Sequence, residues 1–373
     1  MKVVHVVNGV GPGSIPLELA ARLAREGVDV ELIVYYRAKS ADKKEAKDFL
    51  RYLPVHEVRA AGPLDLSGII RLYRKIKNIS PEVLHVHHNM SGSLARVVGR
   101  FAGVPLLVDT EHNDHAGFER LPRIVNGISL NLADRIICNS ENTCSSFFAW
   151  EDFLIRGDKK TVIYNGVDVE KIDGARRGKD DARRALGLAE SDFVIGNVGM
   201  LTEQKDQASL VKAMGKISDV IPESKLVIVG DGPLRSELEA KAGEMGLGDE
   251  IIFTGLLERK RVYQLLQVFD VFCMVSLWEG FCNALVEAMA AENPVVVSEV
   301  EPLPEVVGEM GIFIRPGDSE NIADAVVDLY RNPGKAEKIA SEGRIRAESK
   351  FSLARAAEKY RELYLNSVAE TKQ

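Results

Sequence analysis

The sequence predicts an α/β chain of two doubly wound, parallel-sheet domains in tandem, facing a central cleft. Three observations predict it. Short β-branched runs alternate with helical periodicity almost from end to end. The alternation pauses once, near the middle. The chain of 373 residues is too long for one ordinary core and long enough for two. Strands alternating with helices give a parallel sheet covered on both faces. Ligands of such sheets bind where loops gather at the carboxyl ends of the strands.

In the first half, Lys2–Val7, Val28–Val34, Val83–His87, Leu106–Asp109 and Arg135–Cys138 read as strands, with helices such as Leu17–Glu26 and Ile69–Asn78 between them. The first helix opens at Ser14, carries Pro16 in its first turn and has Gly27 just past its end. The pause, Val167–Glu190, is polar and holds Gly174, Gly178 and a charge run, so it reads as a linker with a lead-in helix. A second series follows: Phe193–Val198, Lys225–Val229, Glu250–Phe253, Val271–Val275 and Pro294–Val297. The last helix, roughly Leu353–Val368, has no strand after it and is expected to pack back on the first domain. The predicted division is 1–168, 169–350 and a returning segment 351–373.

Apolar residues at 46% and charged residues at 28% lie in the globular range. The net charge of −7 is uneven: residues 1–168 carry 22 basic and 20 acidic groups, the remainder 26 and 35. A near-neutral first half and an acidic second half argue against nucleic acid as partner. They leave room for an anionic or membrane-borne acceptor near the first half, with Lys39–Lys47 and Arg71–Lys77 as candidate contacts against the plainer reading of solvated helix faces. Cys138, Cys144, Cys273 and Cys282 have no zinc-ligand spacing and read as reduced structural thiols. The opening MKVVHVVNGV is a strand in length and composition, not a cleavable leader, and no apolar run is long enough to span a bilayer. The chain reads as cytoplasmic, with peripheral contact at the inner face of the membrane left open.

The strongest chemical signal is Ser276-Leu-Trp-Glu-Gly-Phe-Cys-Asn-Ala-Leu-Val-Glu-Ala-Met. Glu279 and Glu287 flank Gly280 and Phe281 at a strand-to-helix turn. Glu279 falls in the loop and Glu287 about two turns into a helix, among Leu285, Val286, Ala288 and Met289. A carboxylate in so apolar a setting needs a hydrogen-bonding partner, and vicinal sugar hydroxyls suit it. The plain alternative is a capping acid plus a solvated helix Glu. Lys205, at the mouth of the helix Gln207–Met214, is placed to meet a diphosphate alongside the helix N-terminus. Val229-Gly-Asp-Gly-Pro-Leu lets backbone approach a ligand closely. In the first half, Asn8-Gly-Val-Gly-Pro-Gly-Ser could present N–H groups to phosphate, but Ser14 stands where a dinucleotide fingerprint needs its third glycine. Asp109-Thr-Glu-His follows a strand directly and puts His112 at the cleft. His85, His87, His88 and His115 could join it as a metal cluster. Alternation sets His85 and His87 on one strand face, but a satisfied packing role is the plainer reading.

Together these segments resemble the retaining glycosyltransferases of the GT-B class called family four. The resemblance covers nearly the whole chain: the E-x7-E signature from Glu279 to Glu287 and the Asn-Pro-Val-Val-Val strand after it, Asn165-Gly-Val-Asp, Gly230-Asp-Gly-Pro-Leu, Phe253-Thr-Gly, and Gly311 through Pro316-Gly-Asp. It implies two Rossmann-like domains, the donor on the second and a saccharide or lipid-linked acceptor mostly on the first. Carried over, Glu287 holds the ribose hydroxyls, Glu279 the transferred sugar with Gly280 and Phe281 beside it, and Lys205 the diphosphate. Phe253, Thr254 and Gly255 lie near the base, Gly11 and Gly13 shape the loop facing the diphosphate, and His112 sits beside the reaction centre. The donor is a nucleotide diphosphate sugar; no cofactor and no metal are expected, since no D-x-D closes a strand of the second domain.

Three positions depart from the family pattern. Met200 stands where an Arg usually contacts phosphate, Pro12 interrupts the first-loop glycine pair, and Ala291-Glu292-Asn293 replaces a glycine. The rival readings on the same fold are a nucleotide-sugar epimerase or phosphorylase and a catalytically silent nucleotide-sugar-binding subunit. An NAD-dependent oxidoreductase fits less well, because its glycine fingerprint is imperfect. Retention could run through a covalent intermediate on one carboxylate, or by the front-face route the resemblance implies. Acceptor choice would reside in Arg37–Leu66 and Asn113–Val125.

Overall fold

A computed structural model describes residues 1–11, 14–36, 51–63, 65–87, 89–155 and 157–371. It divides into two compact units, Met1–Gly166 with Leu353–Gln373, and Val167–Ser352.

The first unit is built on seven strands: β1 (Lys2–Val7), β2 (Asp29–Tyr36), β3 (Val55–Ala60), β4 (Val83–His87), β5 (Leu106–Glu111), β6 (Arg135–Cys138) and β7 (Lys160–Val162). All pair in parallel, in the order β3-β2-β1-β4-β5-β6-β7. Side-chain alternation feeds two cores, one on each face. Val3, Leu32 and Val108 pack with Leu17 and Leu23 of the first helix and with Tyr360 and Tyr364 of the last. Val4, Ile33 and Leu107 pack with Leu72, Ile76 and Val98 on the other face. The helix Leu353–Thr371 therefore belongs to this unit, as expected of a helix with no strand after it.

The second unit has six parallel strands: β8 (Phe193–Val198), β9 (Ser224–Val229), β10 (Ile251–Gly255), β11 (Val271–Met274), β12 (Val295–Ser298) and β13 (Ile312–Ile314). Their order is β10-β9-β8-β11-β12-β13. In each sheet the order reverses once, between β1 and β4 in the first and between β8 and β11 in the second. Ligand crevices open at such switch points.

Two sequence expectations need correction. β3, β7 and β13 were not foreseen. All three lie at or near sheet edges, β7 and β13 are three residues long, and β3 carries His56, Glu57 and Arg59, so none shows a continuous apolar run. The stretch read as a linker is largely helical, at Val169–Gly174, Arg176–Gly178 and Lys179–Ala185. Its polar residues are tied into the second unit: Arg344 grips Asp173 through two bonds of 2.9 and 2.8 Å, and Arg176 meets Glu292 at 2.6 Å. The four cysteines are unbridged, and no helix among the described residues is long and apolar enough to cross a membrane.

Candidate functional site

At the switch point of the second sheet, the loops after β8, β9 and β11 are fastened to one another through their backbones. Gly199 N–H donates to the Val229 carbonyl (2.9 Å), Leu201 N–H to Asp231 (3.0 Å), Leu234 N–H to Leu201 (3.2 Å) and Leu277 N–H to Gln204 (2.8 Å). This close approach is why Val229-Gly-Asp-Gly needs its glycines. A Cβ on Gly230, whose φ is +138°, would collide with the Gly199 carbonyl, and one on Gly232 with the backbone of Leu201. Gln204 donates to the Trp278 carbonyl at 3.0 Å, fixing the turn that carries Glu279.

Lys205 and Glu279, 74 positions apart in sequence, form an ion pair there, with side chains 18% and 5% exposed. Ser276 Oγ donates to the same Glu279 oxygen at 2.6 Å. Burial works against the Lys205 ammonium, but the charge and hydrogen bond of Glu279 favour it and its pKa is raised. The neighbouring Cys282 thiol is pushed up to about 12, chiefly by burial. Lys205 is thus a held, permanent cation at neutral pH.

Glu287 is buried on the helix Asn283–Ala290, just over one turn in where the sequence suggested about two. Its carboxylate is met by Arg259, at the start of the helix Arg259–Leu266, and Arg259 Nε also donates to Tyr263 Oη at 2.8 Å. The partner that burial demands is therefore present in the protein itself, and sequence reading missed it. Arg259 sits in a charged run with no distinguishing pattern. Ser276 was missed too, although it lies inside the quoted motif. Phe253 and Thr254 are half-buried at the end of β10. Gly255, with φ of +72°, accepts a bond from Gly230 N–H at 3.1 Å, which joins this strand end to the same loop cluster. Phe281 is buried and stacks edge-on against Phe351, with Gly280 preceding it. Met200 is 63% exposed, its carbonyl accepting from Gln207 at 3.1 Å.

In the first unit, β5 runs two residues further than expected, to Glu111, so His112 stands directly at its carboxyl end. Asn139 Nδ2 donates to the His112 carbonyl at 2.9 Å. His112 Nε2 lies 3.2 Å from His87 Nδ1. His5, His85 and His87 are buried together at the β1–β4 switch point, where His5 and His85 are register partners. Burial pushes His5 down to about 3 and His85 well below its ordinary value. Their nearest nitrogens lie within 4.8 Å of one another, which prompts the metal question. Both His85 nitrogens are engaged, with Tyr364 Oη at 2.6 Å and Thr110 Oγ1 at 2.7 Å, and no carboxylate belongs to the cluster. A divalent ion there would be a buried charge without a counter-charge. The trio fits a hydrogen-bonded network better than a ligand set.

His115, offered as a further metal ligand, is committed elsewhere. It lies between Glu151 (3.0 Å) and Glu111 (3.6 Å), stacked on Phe147. Burial lowers its pKa, but the charges of Glu111 and Glu151 and the Glu151 hydrogen bond prevail and raise it to about 9. Glu111 also accepts from Asn126 at 2.6 Å, and Asn126 in turn receives Arg96, the buried partner of Asp109. Gly11 is described, and no atom within 4 Å would meet a Cβ on it, so packing among the described residues does not demand glycine there. Gly13, Pro12, His88 and 37–50, which includes Lys39–Lys47, lie outside the described residues.

Comparison with known proteins adds a second line of information. Residues 178–346 match the family described as "Glycosyl transferases group 1", and residues 11–171 match "Glycosyltransferase Family 4". An Escherichia coli UDP-Gal:alpha-D-GlcNAc-diphosphoundecaprenol alpha-1,3-galactosyltransferase is 29% identical over 321 residues, covering 82% of this chain and 80% of that protein. A D-inositol 3-phosphate glycosyltransferase from Stackebrandtia nassauensis is 28% identical over 87% of this chain and 80% of its own. Among solved structures, the Anabaena protein HepE in complex with UDP superposes with a TM-score of 0.83 at 21% identity, covering 98% of this chain and all of that one. Sucrose-phosphate synthase from Thermosynechococcus elongatus gives a TM-score of 0.77 at 19% identity over 99% and 100%.

Proposed function

Because the chain belongs to the family 4 glycosyltransferases of GT-B fold and transfers sugar from a nucleotide sugar, we propose that it does so with retention of anomeric configuration and without a metal ion. The observation that carries this reading is the Lys205–Glu279 pair at the β8–β11 switch point. Cleaving a sugar–diphosphate bond builds negative charge on the departing phosphate. A half-buried, preorganised ammonium at a helix entrance can stabilise that charge in the role a divalent ion plays elsewhere. Lys205 receives the diphosphate, Glu279 the transferred sugar, and Glu287, braced by Arg259, the ribose hydroxyls. Phe253 to Gly255 flank the base.

Both glutamates are tied to cations, and a paired carboxylate is a poor nucleophile. This supports the front-face route, in which the departing phosphate takes the proton of the acceptor hydroxyl as that oxygen bonds to the anomeric carbon and the sugar–phosphate bond breaks. His112 attends the reacting sugar, and the first unit receives the acceptor. Uridine is the proposed base, since HepE was solved with UDP and the E. coli relative takes UDP-Gal. A lipid-linked acceptor reached by peripheral membrane contact is the proposed setting, by analogy with that relative's diphosphoundecaprenol substrate.

Incubation with labelled UDP-, GDP- and ADP-sugars tests the class. Slow hydrolysis of one donor, absent in Lys205→Ala, is the expected result. Inversion at C2 would identify an epimerase instead, and saturable binding without turnover a silent subunit.

A further inference from the structure

Three histidines of the first unit, His5, His87 and His112, form a continuous hydrogen-bonded row whose direction is readable. His5 Nδ1 lies 3.1 Å from His87 Nε2, and His87 Nδ1 lies 3.2 Å from His112 Nε2. His5 and His87 are at most 1% exposed, while His112 is half-buried. At the inner end His5 Nε2 is buried with no hydrogen-bond partner among the described residues.

A neutral imidazole has one N–H and one lone pair. Three in series satisfy both links only if all point the same way, so the row has two states. In one, His5 Nε2 carries a proton with nothing to receive it. In the other, it carries a bare lone pair. Buried orphan N–H groups are rarer than under-used acceptors, so the second state is favoured. His5 then donates from Nδ1 to His87, His87 donates from Nδ1 to His112 Nε2, and the proton of His112 resides on Nδ1, the nitrogen turned away from His87.

We propose that His87, backed by His5, is a positioning residue that locks His112 in the Nδ1–H tautomer and so presents it to the reacting sugar as a neutral hydrogen-bond donor. The row does not carry a proton through: drawing one out would leave a buried imidazolate at His5. The proposal rests on the role given to His112 above, but the state of its ring can be read independently.

Long-range 15N–1H spectra of the histidine rings, combined with kinetics, test it. Wild-type His112 is expected in the Nδ1–H form. In His87→Phe it should relax to a mixture dominated by Nε2–H, with kcat down by about 10- to 100-fold, the scale of a misplaced reacting group, and donor KM within about twofold. His87→Asn keeps an N–H near the Nδ1 position and should recover much of both. His85→Phe, equally buried but off the row, should leave the His112 tautomer unchanged and so control for general loosening. His112 found as Nε2–H in the wild type, or unmoved in His87→Phe, overturns the proposal whatever the activity. Full turnover in His112→Ala would sink the catalytic reading instead and leave the tautomer result standing.

Discussion

At the scale of single residues, the proposed donor site comes down to two acid–base pairs whose members should fail differently. Glu287→Ala removes a charge-assisted acceptor for the ribose and strands Arg259. Loss of such a bond costs about 1.5–3 kcal/mol, so affinity for the bare nucleoside diphosphate should fall roughly 10- to 100-fold by calorimetry. Glu279→Ala removes the proposed sugar contact and also frees Lys205 from its partner, so it should cut turnover far more than it changes that affinity. The reverse pattern would mean that the two carboxylates are misassigned. Met200 is exposed beside this loop, where the family usually has Arg. Met200→Arg should tighten nucleoside diphosphate binding, since a guanidinium grips phosphate in a bidentate fork. Unchanged binding in Met200→Arg together with a mild Lys205→Ala would place the phosphate site elsewhere. Glu279, Glu287 and Lys205 were legible in the sequence because motif and spacing mark them. Arg259 and His5 were not, because each acquires its role only when distant strands and loops meet; Ser276, three positions before Glu279, was passed over inside its own motif. No local pattern records that Arg259 faces Glu287, or that β1 pairs with β4.

At the scale of elements, two devices hold the sites in shape. One is the loop cluster around Gly230, where left-handed backbone and the Gly199 carbonyl leave no room for a side chain. Gly230→Ala should lower stability by about 1–3 kcal/mol or more and weaken donor binding with it, measurable by denaturant unfolding and calorimetry on the same sample. The other is the buried Glu111–His115–Glu151 arrangement beside His112. The His115 pKa is raised from 6.5 to about 9, so its stabilisation is fully present below about pH 6.5 and is lost as pH rises through about 9. At about 1.4 kcal/mol per unit, the loss is on the order of 3 kcal/mol. The melting temperature should therefore fall between those pH values, and His115→Gln should start lower and stay flatter across the window. A wild-type profile flat from pH 6.5 to 9 would contradict the paired, charged imidazolium. Strands flanked on both sides, such as β1, β4 and β8, were readable as continuous apolar runs. The short or polar β3, β7 and β13 were not, because backbone pairing places them and their own composition does not. The same holds for Val169–Ala185, whose polar residues look like a linker until Arg344 and Glu292 are set against them.

At the scale of the whole molecule, the two sheets share one architectural rule, with chemistry concentrated where strand order reverses. In the first unit that point holds the histidine row, and in the second it holds Lys205 and Glu279. The alternation of strands and helices made this much legible from the sequence. What it could not supply is the identity of the acceptor, because Arg37–Leu66 and Asn113–Val125 are rich in Lys, Arg and His but carry no readable code. The proposed donor site would work by preorganised protein charge and return the sugar with its configuration kept. This is tested most directly by following the anomeric proton of the transferred or hydrolysed sugar by NMR, in EDTA and again with added Mn²⁺. Equal initial rates in both and a first-formed product with the donor's own anomeric configuration are expected. Activity abolished by EDTA and restored by Mn²⁺, or a first-formed product of inverted configuration, would contradict it.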